Sequence, residues 1–420
     1  MVFYSTVRTE EDEIMSEEKI NIGMVGGGLQ SFMGPIHRMA IEKAGLLRLA
    51  SGCFGATKQS SLDCAKACGV DEGHAWGAYR EFIRHEAKLP PEQRLLFIST
   101  VLPNTMHYPV AMLAMDCGVP ILGEKPFTTN LDEAANLMRK HRTTGVPYRI
   151  AMVYPAYSML VKARDMLRKG AIGTLRRYVF SMQSGWMARR IENQGNRQAL
   201  WRVDSHRNGA GGVVNDSGCH CQFVLEWLTG FEITEVCALA RPCVPGRIIA
   251  DDATVYVRTR EGIDGTFLLS QVATGHREGL AFEITGDKGA MIWKQSEPGK
   301  LLVVSNDGAE KVYADATASG QSARAEEPFG ANEAYIEALS RVYREFAESL
   351  QGRKRKVRAK DSRILGMTIE EGFRSVCVSA AMEKSFVAPP TTFTQSGMPN
   401  PPPPPPPKWI PVTIPNTDPV

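Results

Sequence analysis

Three side chains in this sequence have the types and spacing for proton and charge work: Lys125 in Glu124-Lys125-Pro126, and Asp216 and His220, four residues apart in the stretch from Gly211 to His220. A lysine whose ammonium is partly desolvated donates to a hydroxyl and stabilises oxyanion character on its oxygen. A histidine, with an ordinary pKa near 6.5, accepts a proton at neutral pH, a role worth about 10²- to 10⁴-fold. Asp216 and His220 fall at the start of a helix predicted to run to Leu228, where residues four apart share one face. From there Asp216 orients the imidazole or bonds a neighbouring hydroxyl. Plainer readings stay open: a surface lysine, an aspartate that caps the helix, and a buried structural histidine. Cys219 and Cys221 flank His220, but adjacent helix residues point about 100° apart, so the three do not converge on one ion and no metal site is expected.

A second cluster is suited to phosphate. Gly26, Gly28 and Gly34 punctuate a loop between an apolar strand at 22–26 and a helix from Pro35, with Leu29 and Gln30 between them. Gly26 permits a tight turn, Gly28 lets backbone approach a pyrophosphate, and the helix start offers free amides and its positive dipole end. A regular fingerprint places its third glycine at position 31, where Ser31 stands, so Gly34 serves only in a longer loop. The second strand, 47–54, is followed by no acid for an adenosine ribose; Thr57 and Lys58 are candidates to hold a 2′-phosphate instead, which leans slightly toward NADP over NAD. Pro103, Asn104 and His107 follow the strand at 95–102, and Glu124 and Lys125 follow the one at 119–123. All five lie at carboxyl ends of strands, where open parallel sheets bind ligands.

The elements that must position these groups show a βαβ rhythm over roughly the first 150 residues, with short Val/Ile/Leu runs that fit strands buried on both faces. A doubly wound parallel sheet is expected at 19–150. Beyond 151, longer strands (175–183, 235–240, 253–259, 266–272, 280–285, 290–293, 301–304) follow one another with little helix, which predicts an α+β domain with a large mixed, mostly antiparallel sheet at 151–386. Two long helices, near 331–350 and 368–384, close it. Residues 1–18 read as a flexible arm, and 387–420, with prolines 401–407, as an extended tail that straps across its own or a partner subunit or docks on another protein. The basic cluster Arg353-Lys354-Arg355-Lys356 reads as a solvated loop.

With 420 residues the chain is long enough for two cores, and 43% hydrophobic and 23% charged content suits a packed protein. A net charge of +3 from 49 basic and 46 acidic residues gives no field for nucleic acid or a membrane surface. No run reaches the roughly 18 apolar residues of a spanning helix, and the acidic N-terminus has no signal-type core, so a cytoplasmic location is expected. The nine cysteines read as small buried hydrophobes rather than a disulfide framework.

Taken together, Glu124-Lys125-Pro126, the Pro-Asn-x-x-His at 103–107, the Gly-Gly-x-x-x-Asp-x-x-x-His at 211–220 and Trp201-Arg202-Val203-Asp204 resemble the Gfo/Idh/MocA family of nicotinamide-dependent oxidoreductases over residues 19–386. The resemblance implies a Rossmann domain followed by an open-faced sheet used to form dimers or tetramers. It assigns Lys125, Asp216 and His220 as the catalytic group and NAD or NADP as cofactor. It further implies hydride transfer to or from a secondary carbinol of a cyclic polyol or sugar. Tyr154, Tyr157, Trp201 and Arg202 are then candidates for the substrate wall, since aromatic faces stack on sugar C–H surfaces and arginine donates to several hydroxyls. Two alternatives belong to the same fold: a glycosidase or lyase in which the cofactor transiently oxidises a sugar, and a non-catalytic dinucleotide-binding regulator.

Overall fold

The computed structural model describes residues 19–209, 211–276, 279–315, 333–352, 364–386 and 408–418. The N-terminal arm, the basic cluster at 353–356 and the proline run at 401–407 lie outside them. The first strands are β1 (Ile20–Gly26), β2 (Leu47–Cys53), β3 (Ile98–Val101), β4 (Ile121–Gly123) and β5 (Tyr148–Ile150). Then come β6 (Leu175–Gln183), β7 (Ile233–Arg241), β8 (Asp252–Thr259), β9 (Asp264–Ser270), β10 (Leu280–Gly286), β11 (Gly289–Lys294), β12 (Lys300–Ser305) and β13 (Glu310–Ala314). Two short strands, β14 (Met367–Thr368) and β15 (Ile410–Pro411), follow from far downstream.

The first sheet runs β14-β5-β4-β3-β1-β2, with β1 to β5 parallel and β14 antiparallel to β5. All residues of β3 and β4 are buried, as short apolar runs covered by helices on both faces must be. The register decides where the site forms: Gly26 lies beside Val101, and Thr100 beside Gly123. The glycine loop, the Pro103–His107 segment and Glu124-Lys125 therefore leave the sheet at one edge, the carboxyl ends of neighbouring strands.

The second sheet runs β13-β12-β11-β10-β6-β9-β8-β7-β15, antiparallel except where β6 lies parallel to β9. Tyr178, Phe180, Phe267, Phe282 and Trp293 are buried on one face. Helices Ser158–Arg168, Gly218–Thr229 and Ile369–Ser385 pack against this sheet. Leu239, Tyr256 and Val312 remain exposed. The two parts interlock: helix Glu333–Leu350 returns to pack on helix Met33–Lys43 of the first, and β14 extends the first sheet. The chain end at 408–418 lies across its own subunit. Val412 N–H donates to the Thr234 carbonyl at 2.8 Å, Ser385 Oγ donates to the Lys408 carbonyl at 2.7 Å, and β15 covers the β7 edge. Among the described residues no helix is long and apolar enough to cross a membrane.

Candidate active site

The glycine loop has the backbone its sequence demands. Gly26 and Gly27 take φ of 86° and 66°, values open to glycine at little cost. A Cβ on Gly28 would strike the Phe54 carbonyl, and one on Gly34 would strike the backbone of Gly27. Gly34 thus does what a third glycine does, letting the helix pack against the strand turn, and the helix begins at Met33 rather than at Pro35. Phe32 at its start offers no side-chain cap, and of the first-turn amides Gly34 N–H is taken by Ser31 Oγ at 3.1 Å. Leu29 and Gln30 stand exposed at the loop tip. The run Gly26-Gly27-Gly28, with no side chain between its backbone and a ligand and a helix start just beyond it, is a fitting cradle for a pyrophosphate.

Lys125 and Asp216 meet across the two domains. Lys125 Nζ lies 2.7 Å from Asp216 Oδ1 and donates also to the Asp216 carbonyl at 3.2 Å. The other carboxylate oxygen accepts from Gln271 Nε2 at 2.8 Å and Arg202 Nε at 3.2 Å. Burial alone would raise the Asp216 carboxyl pKa, but Lys125 and Arg202 overcome it and hold it well below the usual carboxylate range. Burial likewise works against the Lys125 ammonium, and Asp216 outweighs it, leaving that pKa above its ordinary value. The pair is a fixed charge couple at neutral pH.

His220 is different. Its Nδ1 lies 3.0 Å from the Tyr154 hydroxyl, and burial, reinforced by the nearby Lys125 charge and opposed by Asp216, pulls its pKa down to about 3. The imidazole is neutral at pH 7, with Nε2 left for a substrate. Burial also pushes the Tyr154 phenol far above its ordinary pKa, so it remains a hydroxyl. Two expectations are corrected here. The helix breaks at Ser217, with Val213–Asp216 and Gly218–Thr229 as separate pieces, so Asp216 ends one and His220 belongs to the next. Asp216 neither caps a helix nor orients the imidazole; its oxygens go to Lys125, Arg202 and Gln271, and Tyr154 holds the ring.

These groups line one cleft together with Phe32, Met33, Ser184, Trp186, Gln295 and Tyr335. Of the expected wall, Tyr154 and Arg202 reach it, whereas Tyr157 and Trp201 stand behind it. Tyr157 takes a bond from Gln295 Nε2 at 3.4 Å, and the Trp201 ring lies 4.1 Å from the Arg202 guanidinium carbon. Sequence reasoning missed Gln271 and Trp186, which the parallel pairing of β6 with β9 brings to the site from the ends of those strands. No local motif signals either one.

The remaining candidates are drawn into structural work. Glu124 Oε1 lies 2.9 Å from His37 Nε2, and Oε2 accepts the Lys125 amide at 3.1 Å. His37 Nδ1 meets the Tyr343 hydroxyl at 2.7 Å, which meets Ser99 Oγ at 2.7 Å. This buried chain ties the dinucleotide-side helix to the peptide carrying Lys125. His107 Nδ1 lies 2.7 Å from the Pro126 carbonyl and Nε2 3.1 Å from the Leu102 carbonyl, and burial lowers its pKa, so the neutral ring donates to one of them. Asn104, in the turn that Pro103 opens, donates to Asn208 Oδ1 at 2.9 Å, a link into the second domain. The Thr57 hydroxyl caps helix Lys58–Ala67, and Lys58 Nζ donates to the Ala75 carbonyl, so both groups proposed for a 2′-phosphate are engaged elsewhere. The Cys219 thiol, which burial pushes up to about 12, donates to the Asp216 carbonyl at 3.5 Å.

A glycine-cradled parallel sheet opening beside a charge couple and a neutral imidazole is the arrangement of a dinucleotide-binding oxidoreductase fold. Residues 20–152 match the sequence profile of the oxidoreductase family's NAD-binding Rossmann fold, and residues 160–292 that of the GFO/IDH/MocA C-terminal domain. The chain belongs to the GFO/IDH/MocA oxidoreductase family. It is 25% identical over 377 residues to an uncharacterized oxidoreductase, YfiI, of Bacillus subtilis, covering 86% of this chain and 94% of that one. It is 21% identical to the levoglucosan dehydrogenase of Pseudarthrobacter phenanthrenivorans, over 70% of this chain and 78% of that one. In fold it resembles an inositol dehydrogenase homolog of Azotobacter vinelandii, solved as a complex with NAD+: the TM-score is 0.78 at 24% identity, over 89% of this chain and 97% of that one.

Proposed function

We propose that this protein is a dehydrogenase or reductase that moves a hydride between a nicotinamide dinucleotide and a secondary carbinol or ketone of a cyclic polyol or sugar. The observation that carries the reading is that Lys125 and His220 open onto one cleft in complementary states, one a held cation and the other a neutral base. The nicotinamide, when bound, supplies the hydride acceptor or donor at its C4. In the oxidative direction Lys125 donates a hydrogen bond to the carbinol oxygen and stabilises its developing negative charge. His220 Nε2 takes the hydroxyl proton, while its Nδ1–H is held by the Tyr154 oxygen. Arg202 and Gln271 keep Asp216 in place beneath Lys125, so the ammonium enters the reaction already oriented. Trp186 offers an aromatic face to the sugar ring, and Ser184, Gln295 and the Asp216 edge suit ring hydroxyls.

In this reading the dinucleotide is NAD(H) rather than NADP(H). Thr57 and Lys58 are committed to a helix cap and a carbonyl, which removes the support for a 2′-phosphate site, and the Azotobacter relative was solved with NAD+. The open face of the second sheet, with exposed Leu239 and Tyr256, suits pairing of two copies, and a Tyr256→Lys change is expected to shift the particle to a monomer in gel filtration. The test of function is a panel of polyols and sugars with NAD+ and NADP+, following nicotinamide absorbance. Turnover of a cyclic substrate that a Lys125→Ala variant loses supports the reading; no turnover above that variant on any substrate overturns it. Tighter binding of NADP+ than of NAD+ overturns the cofactor choice alone.

A further inference from the structure

Behind the catalytic side chains lies a second cavity of about 60 Å³. Pro126, Asn215 and Cys219 border it, each one residue away from Lys125, Asp216 or His220, and Ser375, Ser379 and Glu383 of helix Ile369–Ser385 close its other side. Its polar atoms are under-used. The Glu383 carboxylate accepts from Asn215 Nδ2 at 2.6 Å and, among the described residues, has no basic partner. Asn215 and Ser375 are each only 4% exposed, yet among the described residues Asn215 Oδ1 and Ser375 Oγ have no hydrogen-bond partner. Buried polar atoms in folded proteins are nearly always satisfied, so two orphans beside one unbalanced carboxylate point to a guest. Gly211 keeps the room open, because a Cβ there would strike Glu383 Oε1 and the Asn215 side chain.

We propose that this cavity binds a monovalent cation, such as potassium, sodium or ammonium. Glu383 supplies the counter-charge, and Asn215 Oδ1 with the Ser375 and Ser379 hydroxyls supplies neutral oxygens. An amide oxygen and a carboxylate only accept, so the guest is one that brings positive charge or hydrogen-bond donors to them. Water meets the amide and hydroxyls but leaves the carboxylate to burial, which pushes the Glu383 pKa up toward the protonated form, whereas a bound cation balances the ionised group. A divalent ion carries twice the charge of the single carboxylate and is held in proteins by several of them. The volume admits a dehydrated alkali ion with a remaining water, since about 10–15 Å³ of such space holds one water-sized guest.

The experiment is thermal melting of the full chain without substrate, in the chlorides of potassium, sodium, ammonium and tetramethylammonium at one ionic strength. At least one small cation is expected to raise the melting temperature saturably, by a few degrees over tetramethylammonium. Glu383→Gln keeps an acceptor for Asn215 and is expected to melt cooperatively with no preference among the four salts. Ser375→Ala is expected to retain the response with a several-fold higher half-saturating concentration. Identical wild-type melting in all four salts overturns the proposal, as does a cation preference that survives in Glu383→Gln. Should Glu383→Gln not fold, a rubidium-soaked wild-type crystal decides: anomalous scattering in the cavity supports the site, and its absence there overturns it.

Discussion

The two walls of the cleft are buried together, yet burial leaves one charged and the other neutral. On the charged wall Asp216 receives Lys125, Arg202 and Gln271, and the two cations overcome the cost of desolvating the carboxylate. On the neutral wall His220 has one hydroxyl partner and a cation nearby, so desolvation wins and its pKa falls to about 3. The number and sign of the partners, rather than depth, set the protonation state. The proposed reaction needs both an oxyanion donor and a neutral base, and unequal partnering of the two groups would supply both within one buried pocket.

Removing the charged wall's donor is expected to have the largest effect. Lys125→Met should lower turnover by about 10³-fold, the scale of losing one oxyanion donor in a preorganised site. His220→Gln should cost about 10²-fold. It should also change how stability depends on pH. The folded pKa of about 3 lies below the ordinary 6.5, so between those values the unfolded chain binds a proton that the folded one does not. The His220 contribution to stability is therefore fully present above pH ~6.5 and is lost as pH falls toward 3; melting curves of His220→Gln should be flatter over that window.

Asp216→Asn is expected to reduce turnover by roughly tenfold and to move the alkaline limb of kcat/KM to lower pH, because Lys125 loses the charge that holds its pKa up and burial then dominates. An unmoved limb would show that Lys125 does not titrate in that profile. The smallest effect belongs to Tyr343→Phe. Losing the bonds to His37 and Ser99 should cost about 1 kcal/mol in chemical denaturation, with turnover changed by less than about threefold.

Legibility in the sequence followed the range of the interactions. Strand β6 was readable to its ends at Leu175 and Gln183, because its alternation is local. Helix Tyr79–Lys88 and the edge strand β13 were missed: the helix is rich in charged residues, and β13 carries only Val312 and Tyr313 as large apolar side chains. β14 was not foreseeable at all, since two residues join a sheet whose other strands lie more than two hundred positions away. The proposed catalytic group was legible because Lys125, Asp216 and His220 sit in short glycine- or proline-marked segments. What holds them was not. Nothing in the sequence showed that Tyr154, read as a wall residue, also partners His220, or that Glu124, read as a cofactor ligand, also anchors His37, and Gln271 had no signal beyond its place after a strand.

The central claim, that one wall stays charged while the other stays neutral, is tested most directly by the pH dependence of kcat/KM for carbinol oxidation in the wild type and in Asp216→Asn. The account predicts a wild-type profile with no acid limb near the ordinary histidine value of 6.5, and an alkaline limb that moves to lower pH in the variant. A wild-type acid limb near 6.5 that vanishes in His220→Gln would contradict it, because His220 would then be an ordinary, readily protonated imidazole.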